Sequence, residues 1–167
     1  MVSQPEHHTG DPGPAAHSPL LSWDIFLNRY QVIMQLLDDA QRIYRFGQSN
    51  GWHHHWDFRK ILLEENKTIL VTQKDLTIVC ASSNITDMTG YYTDEVIGKT
   101  PRFFQGPATQ AETRQIIRHA VQEQLPFEAS LINYKKSGDP YDCYIQGFPV
   151  FNNGRQLCHF IAFEQAV

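Results

Sequence analysis

Asp142-Cys143-Tyr144-Ile145-Gln146-Gly147-Phe148-Pro149-Val150-Phe151-Asn152-Asn153-Gly154-Arg155-Gln156-Leu157-Cys158-His159-Phe160-Ile161-Ala162-Phe163-Glu164 sets two runs rich in aromatic and β-branched residues around an Asn-Gly pair. That arrangement is the strongest short-range signal of a β-hairpin, because both turn residues tolerate the positive φ that a two-residue loop demands. With Asn153 and Gly154 as the loop, Asn152 pairs with Arg155. Cys143 then faces Glu164, Ile145 faces Ala162, Gly147 faces Phe160 and Pro149 faces Cys158, all on one side of the sheet. The other side carries Tyr144, Gln146, Phe148 and Val150 beside Leu157, His159, Ile161 and Phe163. Both sides are largely apolar, so both are expected to be covered, by a helix of the same chain, by a second subunit, or by both.

Working upstream, Lys136-Ser137-Gly138-Asp139 reads as a turn between strands near 127–135 and 140–151, with the last strand near 156–165. A helix is predicted near 109–124, with Ile116, Ile117, Ala120 and Val121 on one side. Short, turn-rich segments fill 82–108. Thr68–Thr72 and Leu76–Ala81 are two further β-rich runs joined by Gln73-Lys74-Asp75, a loop of hairpin length. Two strands, helices, then three strands make an α+β domain with a five-stranded antiparallel sheet, spanning 67–167.

Three segments precede that domain. Residues 1–20 hold Pro5, Pro12, Pro14, Pro19, Gly10 and Gly13 with little to pack, and read as a disordered arm. Residues 21–46 read as an amphipathic helix, with Ser22 as its N-cap and Gly47 as its end. Phe26, Tyr30, Ile33, Leu37, Ala40 and Tyr44 step along it by alternating fours and threes, which is a coiled-coil seam over three heptads. The same stripe could instead pack on the chain's own sheet. Residues 47–66 form an aromatic-rich connector containing His53-His54-His55. Adjacent side chains diverge in a helix and alternate in a strand, so this triplet lacks the spacing of a metal site. No metal ligands are expected.

The composition narrows the function. The chain has 167 residues, is 41% hydrophobic, and carries a formal net charge of −4, which argues against a nucleic-acid partner. No run has the length of a membrane span, and the N-terminus lacks the pattern of a signal peptide, so cytoplasmic residence is expected. Cys80, Cys143 and Cys158 are odd in number, without metal spacing, and read as buried free thiols. The chain contains no Gly-rich phosphate loop opening a helix, no Gly-x-Ser-x-Gly, no His-Glu-x-x-His and no Cys-x-x-Cys. An enzyme is therefore not expected, and no residue is assigned as catalytic.

Met88-Thr89-Gly90-Tyr91, Gly98-Lys99-Thr100-Pro101-Arg102-Phe103-Phe104-Gln105-Gly106 and Leu131-Ile132-Asn133-Tyr134-Lys135-Lys136-Ser137-Gly138 give the chain a resemblance. In order and spacing, from about Ala81 to Glu164, they resemble the PAS superfamily. Within it, they are similar to the flavin-binding light-oxygen-voltage (LOV) branch of phototropin type. The resemblance implies a PAS fold, with short helices on one face of the sheet. It also implies a pocket in which Arg102 and Arg118 pair with a flavin phosphate, Gln105 stands beside them, and Asn133 bonds the polar edge of the ring. Four positions depart from that pattern. The photoactive cysteine is replaced by Pro101, which has no nucleophile, and the asparagine before it by Thr100. A second ring-edge asparagine becomes Cys143. The glutamine that the family places beside the flavin's reactive nitrogen becomes Glu164, which cannot exchange donor for acceptor as an amide does unless it is protonated. On a mostly apolar face, Glu164 should hold its proton to unusually high pH.

The expected function is a PAS sensory or protein-interaction module in signal transduction, without cysteinyl-adduct photochemistry. It is expected to act as a homodimer or on a signalling partner, through Phe26, Tyr30, Ile33, Leu37, Ala40, Tyr44, Phe148 and Ile161. Because Val167 follows the last strand directly, output is expected through dimer rearrangement or a separate protein. The alternative is an FMN-binding redox or light sensor that works without an adduct. The cavity could also take another small ligand, or be filled by Phe103, Phe104, Phe127 and Phe160.

Overall fold

The computed structural model describes residues 20–167; the arm expected over the preceding residues lies outside them. Helix α1 (Leu20–Ser49) comes first, then a π-helical turn (Lys60–Glu64), β1 (Thr68–Gln73) and β2 (Ile78–Ala81). Short helices α2 (Ile85–Thr89) and α3 (Thr93–Val96) follow, with a 3₁₀ turn at Pro101–Phe104. The chain ends with α4 (Ala111–Gln122), β3 (Phe127–Tyr134), β4 (Pro140–Phe151) and β5 (Leu157–Ala166). The five strands form one sheet in the order β2-β1-β5-β4-β3, and every neighbouring pair is antiparallel. This is the expected architecture, with the first and last β segments of the chain joined at the middle of the sheet.

The final hairpin differs from its predicted register. Arg155, not Gly154, takes the left-handed conformation (φ +58°), so the loop has three residues and Asn152 pairs with Gln156. A bulge at Cys158 then adds a second residue to β5, between the pairs Phe151–Leu157 and Val150–His159. Beyond it Cys143 faces Ala166, Ile145 faces Glu164, Gly147 faces Ala162 and Pro149 faces Phe160. Beyond the bulge every partner has moved by two, so His159 to Glu164 keep the faces they were assigned. Leu157, before the bulge, has moved by one, pairs with Phe151 in place of Val150 and faces the other way. Cys143 and Glu164 become diagonal neighbours and still touch, Sγ to Oε2 3.8 Å.

One side of the sheet is covered by the chain itself. Ile69, Val71, Cys80, Val150, Ile161 and Phe163 pack under Leu36, Ala40 and Ile43 of α1, with Trp52, Phe58, Ile61 and Leu62 from the connector. The buried stripe of α1 is thus Leu36, Ala40 and Ile43, and only Ala40 belongs to the expected seam. Tyr44 is on the wrong side of the helix, at 50% exposure, and Phe26, Tyr30 and Ile33 lie in the N-terminal half of α1, also exposed. Helix α1 also runs past both predicted ends. It begins two residues before Ser22, which therefore does not cap it, and Gly51 (φ +64°) follows its C-terminus. Gly47 sits inside α1 because Trp52 packs there: a Cβ on it would lie 2.7 Å from the indole.

Polar contacts lock the C-terminal half of α1 to the sheet edge. Buried Asp39 accepts from the Ser83 backbone N–H (2.6 Å) and from Arg42, whose guanidinium also donates to the Ala81 carbonyl (2.8 Å) and to Cys80 Sγ (3.2 Å). On the same side Trp52 Nε1 donates to His159 Nδ1 (3.1 Å), and burial pushes the His159 pKa down. His53, His54 and His55 are all exposed, while Trp52 and Phe58 point inward. Cys80 and Cys143 are buried, and Cys158 is half-buried with its thiol donating to the Val150 carbonyl (3.1 Å). In α4, Ala120 is buried but Ile116 is 61% exposed, so the predicted apolar face is narrower than expected. Among the described residues no helix is long and apolar enough to cross a membrane.

Candidate functional site

The other side of the sheet encloses a cavity of about 640 Å³. β5 supplies Phe160, Ala162 and Glu164, and β1 supplies Leu70 and Thr72. Leu131 and Asn133 come from β3, Ile145 and Gly147 from β4, and Pro101, Arg102, Phe104 and Gln105 from the 3₁₀ turn and its exit. Helix α4 closes the space with Arg114, Ile117, Arg118 and Val121. The volume lies in the range of small-molecule sites, and the lining is mostly apolar with a few polar groups. Phe104, Phe127 and Phe160 therefore form walls and do not fill the space; Phe103 packs against Tyr91 at the surface, ring centroids 4.8 Å apart.

Local structure explains how the lining is held. The segment after the 3₁₀ turn is riveted to β3. Gln105 forms a backbone bridge with Asn133, and Thr109 Oγ1 donates to the Ile132 carbonyl (2.6 Å) while accepting from the Gly106 N–H (3.0 Å). Gly106 is required for this approach, since a Cβ there would lie 2.5 Å from the Tyr134 ring. Gly147 does the same on β4, where a Cβ would lie 2.3 Å from the Phe127 ring. Pro101 opens the 3₁₀ turn, a position where its missing N–H costs nothing.

The cavity is polar at two ends. At its mouth stand Arg102, Arg114 and Arg118 with Lys74, and a single acidic lining residue there, Asp75. Arg114 and Arg118 are one turn apart on α4 and so share a face. None of the three guanidinium groups makes an ion pair among the described residues. At the inner end Asn133 is 3% exposed, and among the described residues its Oδ1 has no hydrogen-bond partner; the buried hydroxyl of Tyr141 lies beside Asn133 and Cys143. Glu164 is 4% exposed, and the thiol of Cys143 is its contact, at the long distance given above. Burial pushes the Glu164 carboxyl up to about 7, and pushes the Cys143 thiol and the Tyr141 hydroxyl far above their ordinary values.

The sequence-derived residues Pro101, Arg102, Gln105, Arg118, Asn133 and Glu164 all line this one cavity. Cys143 stands behind the lining, packed with Leu131 and Ile145 and with its thiol against Glu164. Of the residues assigned to an interface, Ala40 and Ile161 are buried in the chain's own core, and Phe148 packs on Phe163 and Trp56 beneath the connector. Phe26, Tyr30, Ile33 and Tyr44 remain exposed, and Leu37 is half-buried. Sequence reasoning missed Arg114 and Thr72. Arg114 was findable from its four-residue spacing to Arg118; Thr72 is legible only once β1 is known to lie beside β5.

Comparison with known proteins agrees with this fold. A blue-light-activated histidine kinase of Brucella anthropi is 38% identical over 88 residues, which are 53% of this chain and 18% of that protein. Protein TWIN LOV 1 of Arabidopsis thaliana is 39% identical over 88 residues, 52% of this chain and 22% of that one. The matched segment is thus about a fifth of the length of these relatives. Among solved structures, a light-oxygen-voltage domain described with a flavin analogue superposes with a TM-score of 0.62 at 22% identity, over 67% of this chain and 85% of that one. The PAS domain of the fruit-fly ELK potassium channel superposes with a TM-score of 0.58 at 24% identity, over 64% and 90% of the two chains. At these identities the superpositions speak for the fold, which a channel domain and a photoreceptor domain share. The PAS domain family model matches residues 66–165, the segment that forms the sheet, the helices over it and the cavity between them, and the chain belongs to that family.

Proposed function

We propose that this PAS domain is a sensory module whose cavity receives a planar, anionic heteroaromatic ligand of the flavin mononucleotide class, held without a covalent bond to the protein. One observation carries the reading: a cavity of about 640 Å³ with unpaired guanidinium groups at its mouth and an unpartnered amide oxygen at its buried end. Guanidinium groups bind phosphate oxygens in a fork, so Arg102, Arg118 and Arg114 suit the ligand's anionic tail. Leu70, Leu131 and Phe104 suit the faces of a ring. Asn133 Oδ1 lacks a donor that a ring N–H would supply. A bound flavin would bring both a chromophore and a redox centre. Pro101 stands where the resemblance puts the photoactive cysteine, and no cysteine lines the cavity, so an adduct is not part of the proposal.

The output is proposed to run through α1. Trp23, Ile25, Phe26, Leu27, Tyr30, Val32, Ile33 and Met34 are all exposed on its N-terminal half, a density of apolar side chains that favours pairing with a second chain.

The test is an absorption spectrum of the protein incubated with FMN and desalted, alongside sedimentation before and after loading. A retained, structured blue-region band, reduced in Arg102→Ala and Arg118→Ala, supports the ligand reading. A protein that stays colourless refutes it. A dimer that becomes monomeric in Phe26→Asp/Ile33→Asp supports the output; a monomer at all concentrations removes it.

A further inference from the structure

Glu164 is a buried carboxyl with no cation against it among the described residues. Directly opposite it are Thr68 on β1 and Ile145 on β4, neither of which is titratable. The titratable groups nearest its polar end are Cys143 and Tyr141 on β4, and burial keeps both of them neutral. From α4 and the 3₁₀ turn the charged lining residues are Arg114, Arg118 and Arg102, and from the β1–β2 loop Lys74 and Asp75; among the described residues none hydrogen-bonds Glu164. The 3.8 Å thiol contact is too long to satisfy a carboxylate's acceptor sites. A carboxylate so placed would be both desolvated and under-bonded. A carboxylic acid, by contrast, is neutral and has one strong donor to offer into the cavity that Glu164 lines.

We propose that Glu164 acts in its protonated form as a hydrogen-bond donor to an acceptor on the ring of the bound ligand, while Asn133 Oδ1 accepts from a ring N–H. The inner end of the cavity then selects a planar ring that bears an acceptor and a donor, and holds it only while Glu164 keeps its proton. This rests on the ligand reading given above. The buried position also places the loss of that proton near neutrality, at about 7, so recognition is switched within the physiological range. Ionisation would replace the donor with a charged acceptor facing the ligand's own acceptor, which is repulsive in a low-dielectric site.

FMN and riboflavin are the probes, and fluorescence quenching measures their Kd between pH 6 and pH 8. Riboflavin has no phosphate to titrate. Its Kd for the wild type should weaken about tenfold across that range, the ratio expected when binding needs a proton that leaves near pH 7. For FMN the wild-type Kd relative to that of Glu164→Gln should rise by the same factor, which cancels the titration of the phosphate. In the ligand-free protein at pH 6, the infrared C=O stretch of a protonated carboxylic acid should be present in the wild type and absent in Glu164→Gln. Binding that is flat with pH for the wild type overturns the inference and leaves the ligand reading standing. An ionised Glu164 at pH 6 also overturns it. Failure of both flavins to bind at every pH refutes the ligand reading, and this inference falls with it.

Discussion

Replacing Glu164 with glutamine should change the pH dependence of folding in a defined window. In the unfolded chain the carboxyl ionises near 4.5; in the folded protein burial holds it to about 7. Between those values the folded state binds the proton and the unfolded state does not, so wild-type stability falls as pH rises. Above about 7 the group is ionised in both states and the loss stays constant. At about 1.4 kcal/mol per pH unit, the whole gap is worth about 3 kcal/mol. Glutamine does not titrate, and every other group is common to both proteins, including His159 with its lowered pKa. The variant should therefore gain about 3 kcal/mol on the wild type between pH 4.5 and pH 8, read by urea denaturation at fixed pH. For a chain of this size that corresponds to roughly 6–12 °C in Tm. Parallel stability curves over that range would show that Glu164 meets solvent or a cation in the folded protein, and the account of the inner cavity would be wrong.

Three further outcomes follow from the packing. Gly147→Ala puts a methyl group 2.3 Å from the Phe127 ring, and should lower stability by about 1–3 kcal/mol in urea titration, with near-ultraviolet dichroism reporting the displaced aromatics. Asp39→Ala strips the Ser83 N–H and Arg42 of their shared acceptor; a loss of about 1–3 kcal/mol is expected, with faster amide exchange over 36–46 and 81–85 but not in β4. Arg118→Ala should weaken FMN binding by about tenfold or more and flatten its salt dependence, while leaving riboflavin binding nearly unchanged; equal losses for both ligands would place the phosphate elsewhere.

The elements were legible where local signals were dense. Alternation in β4 and β5 and the apolar runs 68–72 and 76–81 mark strands, and Asn-Gly marks the turn between β4 and β5. The second of these runs becomes a strand only at Ile78, because Leu76 takes a left-handed turn conformation (φ +68°). The six lining residues could be named because they sit in a motif whose spacing is tied to a cavity. Helix α1 was harder. Its sequence carries apolar residues on more than one face, so Phe26-Tyr30-Ile33-Leu37-Ala40-Tyr44 and Leu36-Ala40-Ile43 compete for the same helix, and both pass through Ala40. What decides between them is where the helix rests on the sheet, set by Asp39, Arg42 and the space Gly47 leaves for Trp52. These are contacts to residues 5 to 44 positions away, invisible to a periodicity.

The hairpin shows which part of a strand prediction is robust. Reading Asn153-Gly154 as a two-residue loop missed one residue at Arg155 and another at the Cys158 bulge. Either miss alone would have reversed the side chains of β5 from His159 onward, sending Phe163 into the cavity and Glu164 under Trp56. Together they cancel, because side-chain direction depends only on whether the displacement is odd or even. The bulge is thus needed to correct the loop. A three-residue loop leaves Ile161 and Phe163 facing away from α1, and one extra residue at Cys158 turns them back beneath Leu36, Ala40 and Ile43. The same turn brings Phe160, Ala162 and Glu164 to the cavity. Burial of two apolar faces therefore selects the bulge, and the bulge places the carboxyl. Its position at the inner end of the cavity is a consequence of packing on the opposite side of the sheet.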